Sequence, residues 1–206
     1  MALKNFFALV VVITSGACYW RYCHLSFQNK IQPVLSMWFL FCVSVNLSFL
    51  TYFSSEQHGL IAGIGNTMDL TVVWAVFLIL LIARRGRFEF NGFEICCFVA
   101  SGLILIFWIY TRQHVLANLA LQGIMIIAYL PLFKNLYQTG KNTEPFVIWS
   151  GSLVAAAFAL YPAWVEGDML AVVYVSRAII CIGTVLILLI FNKIRRRIIE
   201  GVSAQN

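Results

Sequence analysis

Charge is scarce in this chain: only 11% of its 206 residues are Asp, Glu, Lys or Arg, and just eight are acidic. A domain that meets water on all sides carries about 25% charged residues, so an ordinary solvated surface is excluded. The three histidines, His24, His58 and His114, fall at the ends of three different apolar runs. They therefore offer no set of imidazoles at one depth for a metal or a proton relay. The six cysteines, at 18, 23, 42, 96, 97 and 181, have no metal-ligand spacing, and Cys96 and Cys97 would point to different faces of a helix. They read as small apolar packing residues. Every lysine, at 4, 30, 134, 141 and 193, lies at or beyond the end of an apolar run, so none is placed mid-span for a retinal Schiff base. No Ser/His, paired-Asp or multi-His arrangement shares a depth either. The expectation is a protein that is not an enzyme and carries no cofactor and no metal.

What is abundant is apolar surface, at 62% of residues. Crossing ~30 Å of hydrocarbon takes about 20 apolar residues, and seven runs qualify: about 6–25, 33–53, 60–83, 94–111, 115–138, 145–164 and 169–192. The fold expected is all-α and integral to a membrane, with seven transmembrane helices in a single membrane domain covering 1–206. The segments between runs are too short for a soluble domain. For the first run a cleaved signal peptide is the rival, because Lys4 precedes an apolar stretch ending in "SGAC". Against it, the residue three before Cys18 is Ser15 rather than an aliphatic one, and cleavage would leave six spans.

Orientation follows from the basic residues. Arg21, Lys30, Arg84, Arg85, Arg87, Lys134, Lys141, Lys193, Arg195, Arg196 and Arg197 all fall on one side, against Lys4 and Arg112 on the other. Under the positive-inside rule the amino terminus is outside and the basic tail, 193–206, is cytoplasmic. The net charge of +6 then faces anionic lipid headgroups, and nucleic acid is not needed to explain it. The partners expected are the lipid bilayer and a small polar solute; a homo-oligomer stays open. Short length and lean loops suggest a bacterial inner membrane.

The two halves of the chain align with each other. "NKIQPVLSMW" (29–38) lies opposite "KNTEPFVIW" (141–149), which sets Pro33 against Pro145 at an offset of 112. "AVFLILLIARRGR" (75–87) lies opposite "TVLILLIFNKIRRR" (184–197), where "ILLI" matches at an offset of 108. Spans one to three (about 6–83) and five to seven (about 115–192) then form two parallel three-helix repeats. The fourth span, about 94–111, is the linker that inverts the chain between them.

One acidic and one basic residue interrupt these spans. A charge at the centre of a bilayer helix costs roughly 2.5–3.5 kcal/mol on insertion scales, so each needs a partner, a cavity or a substrate. At the offset of 108, Asp69 falls on Arg177. Two symmetry-related residues of opposite charge would meet near the midplane, between the repeats. Asn66 shares the helical face of Asp69, and Tyr174 shares that of Arg177. Asn66, Asp69, Tyr174 and Arg177 are therefore the candidate substrate-binding residues. A structural ion pair locking the halves together is the alternative for the two charges.

The stretch "AYLPLFKNLYQTGKNTEPFVIW" (128–149) resembles the PQ-loop pattern: a helix end with Leu-Pro, basic residues, a turn, and an aromatic-rich next helix. The three-plus-one-plus-three layout is similar to that of the SWEET sugar transporters and their PQ-loop relatives. That resemblance implies a transporter working by alternating access, with span prolines as hinges. Pro33, Pro131 and Pro145 match three of the family's four prolines, while Tyr19 or Trp20 stands at the fourth and Leu132 follows Pro131 where the signature has glutamine. It also implies an asparagine on the third span, which Asn66 fits, and another on the seventh, where Tyr174 stands. The charges suit an amino acid, a nucleoside-like solute or another charged metabolite better than a neutral sugar. The alternative is a seven-span receptor or sorting protein on the same scaffold, without net transport. The tryptophans Trp20, Trp38, Trp108, Trp149 and Trp164 lie near span ends and read as an interfacial belt, whereas Trp74 is expected to pack against a neighbouring helix.

Overall fold

In hydrocarbon a backbone N–H or C=O without a partner costs several kcal/mol, so long apolar runs with few breakers close their hydrogen bonds within themselves as helices. The computed structural model describes residues 2–28, 30–31, 35–54, 59–83, 92–139 and 144–203, and among these it is all-helical with no strand. The helices are α1 (Ala2–Phe27), α2 (Leu35–Phe53), α3 (Ile64–Ala83), α4 (Gly92–Thr111), α5 (His114–Ala128), α6 (Leu130–Thr139), α7 (Phe146–Val165) and α8 (Met169–Ser203). Among the described residues five helices are long and apolar enough to cross a membrane: α1, α3, the α5–α6 pair, α7 and α8. The apolar stretches of α2 and α4, 37–53 and 95–111, are shorter, about 25 Å of rise each. Pro33, His58, Arg84, Arg85, Arg87 and Lys141 lie outside the described residues.

Two features depart from the simple spans. The fifth run is two helices, because Pro131 has no N–H to give the carbonyl four residues back. The chain tightens just before it: the Tyr129 N–H turns to the carbonyl of Ile126 at 3.1 Å, and α6 starts at Leu130. Pro145, the first residue of the expected sixth span, stands at the N-cap of α7 with φ −80° and ψ 110°. A missing N–H at a helix start is one that would have had no partner anyway, so Pro145 sets where α7 begins and does not bend it. The last helix also continues past its apolar run, carrying Lys193, Arg195 and Arg196 beyond Asn192.

Packing arranges the helices in two groups. α3 lies between α1 and α2, while α8 lies between α7 and the α5–α6 pair. The groups meet where α1 runs along α7 and α2 along α5, with α3 touching α8 at the centre. α4 covers α5 and α2 from outside, and its Ile95, Val99, Leu103 and Ile106 make an exposed stripe at helical spacing. The core between the groups is filled by residues such as Leu40, Val76, Met125, Val185 and Leu189.

The α1–α7 contact depends on one glycine. A Cβ built on Gly151 would collide with Sγ of Cys18. Gly151→Ala should therefore destabilise the protein by about 1–3 kcal/mol through overpacking. Thermal unfolding in detergent checks this, and adding Cys18→Ala, which clears the space, should recover most of the loss.

Candidate functional site

A cavity of about 80 Å³ opens where the two groups of helices meet. Its walls come from six helices, and it holds Asp69 on α3 together with Tyr174 and Arg177 on α8. The rest of the wall is largely apolar, with Phe41, Val45, Val73 and Met125 among the lining residues.

The two opposite charges line the same cavity without forming an ion pair; among the described residues the ion pair found is Lys4–Glu166. Tyr174 stands between them. Its hydroxyl donates to Oδ2 of Asp69 at 2.8 Å, and the Arg177 guanidinium lies over its ring, 4.7 Å from the centroid. Arg177 is held from behind by α5, through Nε donating to Oε1 of Gln122 at 3.0 Å. Among the described residues, Oδ1 of Asp69 and the two Nη groups of Arg177 make no hydrogen bond. None of these atoms is among the sealed, unpartnered polar atoms, so each keeps accessible surface.

Behind Arg177 runs a buried polar network. The Gln122 amide donates to Oγ of Ser48 at 3.1 Å and to Oδ1 of Asn118 at 3.1 Å. Asn118 in turn donates to the Ser48 carbonyl at 2.9 Å and to Oγ1 of Thr51 at 3.0 Å. Asn66 reaches Ser48 only at 3.4 Å and leaves its own Oδ1 without a partner. It lines a small recess beside the cavity rather than the cavity itself, with Tyr174 forming the wall between the two.

Both ends of the cavity are tied across the helix groups. At one end Lys4 on α1 bonds Glu166 after α7 at 2.6 Å, and Tyr52 on α2 donates to Asp168 at 2.6 Å. Asp168 also accepts from the Ala171 N–H at 3.0 Å, which caps α8. At the other end the Glu144 carboxylate accepts from Tyr22 on α1 at 3.3 Å and from Nε1 of Trp149 at 3.1 Å. Tyr22 and Trp38 pack there with ring centroids 5.4 Å apart.

This floor corrects the reading of the tryptophans. Trp38 and Trp149 are buried and line the cavity, because α2 and α7 turn those faces inward against α1 and α5. Trp20 and Trp164 are exposed, whereas Trp108 donates to His114 at 2.8 Å. Trp74, expected to pack against a neighbouring helix, is 42% exposed and meets Phe77 of its own helix edge-on.

Glu144 is the titratable group of the floor. Burial pushes its pKa up from 4.5 to about 7, against the opposing donation from Trp149 and Tyr22. The native state thus holds a proton that the unfolded chain has released, and stability is full below about pH 4.5 and falls as pH rises through about 7. The amount at stake is on the order of 3 kcal/mol. Glu144→Gln should flatten this dependence and raise the unfolding midpoint above about pH 8 relative to wild type, as thermal scans across pH would register.

Gln122, Asn118, Ser48, Thr51 and Glu144 are not among the residues singled out from sequence. One signal was available: Asn118 and Gln122 stand four apart on one face of an otherwise apolar helix. Among the described residues no three His, Cys, Asp or Glu side chains come together as a metal-ligand set. Comparisons with protein-family models, with curated proteins and with solved structures find no match to this chain.

Proposed function

We propose that this protein is an integral membrane carrier that moves a small polar solute by alternating access between two parallel three-helix repeats, with α4 as linker. The observation that carries the reading is the cavity between the helix groups, with Asp69 and Arg177 at equivalent positions of the two halves. The packing pattern supports the repeats. Exchanging α1 with α5–α6, α2 with α7 and α3 with α8 turns the α1–α7 contact into the α5–α2 contact and returns α3–α8 to itself. Such a twofold relation lets two bundles rock about a fixed central site.

The ties at the two ends act as gates in this reading. Opening one side breaks Lys4–Glu166 and Tyr52–Asp168, and opening the other breaks Tyr22–Glu144. The break in the fifth span before Pro131 leaves Tyr129 in the cavity wall, where a change of bend would reach the site directly. The resemblance to PQ-loop and SWEET-like transporters supports the same mechanism. The amino terminus is placed outside and the basic carboxyl-terminal helix in the cytoplasm, in a bacterial inner membrane. Uptake of labelled sugars, amino acids and nucleosides into liposomes tests this. Saturable flux of at least one class, lost in Asp69→Asn and in Arg177→Gln, is expected. Binding with no net flux would favour a receptor or sorting protein on this scaffold.

A further inference from the structure

We infer that the solute bound between Asp69 and Arg177 is a zwitterion of the α-amino-acid class, small and neutral overall. The inference rests on the carrier reading for transport, but its own basis is the arrangement of unpaired charges. Opposite charges shielded from water attract far more strongly than they do in it, so side chains free to meet would do so. Here Tyr174 and Gln122 hold them apart: the phenol takes Oδ2 of Asp69 and lies under the guanidinium, while Gln122 takes Nε. What remains open to the cavity is an acceptor, Oδ1 of Asp69, and a pair of donors, the Nη groups of Arg177.

A ligand's charge decides how well it suits this pair. A neutral polyol strips water from both charges and returns no counter-charge to either, which is costly in a site shielded from water. A cation satisfies Asp69 alone and an anion Arg177 alone, each leaving the other charge desolvated and unpaired. An ammonium and a carboxylate borne on the same carbon satisfy both together and leave the loaded site neutral. The apolar wall of Phe41, Val45, Val73 and Met125 then suits an uncharged aliphatic side chain. At the ~10–15 Å³ that each water-sized group needs, the cavity admits on the order of six heavy atoms, the size of alanine.

The test is binding to the purified wild-type protein, read by quenching of the cavity tryptophans and by shift of the unfolding midpoint. The probes are glycine, L-alanine and L-valine, with propionate, ethylamine and glucose as controls. Alanine should bind at least about a hundredfold more tightly than propionate or ethylamine, since each control leaves one buried charge unpaired. Asp69→Asn should erase the preference for alanine over propionate, and Arg177→Gln the preference for alanine over ethylamine. Equal binding of alanine and its single-charge analogues overturns the inference, as does binding of none of the probes. If glucose binds and crosses liposomes while the amino acids do neither, the carrier reading stands and the zwitterion fails. If alanine binds with the expected discrimination but is not moved across liposomes, the zwitterion site stands and the carrier reading fails.

Discussion

Arg177→Leu should abolish flux and cost the protein on the order of 3–5 kcal/mol of stability, because it leaves Asp69 as a lone charge inside the helix bundle. Gln122 loses its guanidinium partner in the same change. The informative comparison is the double variant Asp69→Leu with Arg177→Leu. Two apolar side chains of similar volume in place of a buried charged pair are often neutral for stability or better. The double variant should therefore return to near wild-type stability while its flux stays at background. Thermal unfolding in detergent and uptake into liposomes, made on the same preparations, check both parts. Stability and flux returning together would instead make the charges a structural device with no part in solute binding.

Gln122→Leu should have the second largest effect. Gln122 is the hinge of the polar network, taking the Nε donor of Arg177 and giving its amide hydrogens to Ser48 and Asn118. Leucine would orphan the Nε of a buried guanidinium and the acceptors of α2 and α5. A hydrogen bond to a charged group is worth about 1.5–3 kcal/mol, and the total loss should be about 3 kcal/mol. Gln122→Glu is the contrasting change. A carboxylate there would pair with Arg177 and neutralise the group that is to meet the solute, while it loses the donation to Oδ1 of Asn118. Its flux should fall at least tenfold while its unfolding midpoint stays above that of Gln122→Leu.

The helices were legible because a long apolar run with few breakers closes its backbone hydrogen bonds within itself: each expected run carries a helix, α5–α6 counting as one interrupted run. Asp69, Tyr174 and Arg177 were legible because charge inside an apolar helix is too costly to be incidental, and the internal offset brought them together. The network behind them was not, since single serines, threonines and amides are cheap in a helix and return to their own backbone, as Thr51 does to Leu47. Trp38 and Trp149 were misplaced for a different reason. Position near a span end is shared by a residue facing headgroups and by one flooring a cavity, and only the packing of α1 against α7 separates the two. Glu144 hid in the same way. An acid in a short connection reads as solvated until Tyr22 and Trp149 are seen to enclose it.

The most direct test of the account is counterflow. Liposomes bearing the wild-type protein are loaded with unlabelled L-alanine, or in parallel with glucose, and the same labelled solute is supplied outside at trace concentration. A carrier with one central site between two gates should accumulate label transiently and saturably, faster when the interior is loaded, and not at all in the double variant Asp69→Leu with Arg177→Leu. Tight binding of a solute with no accumulation of its label, loaded or empty, would contradict alternating access and leave a receptor in its place.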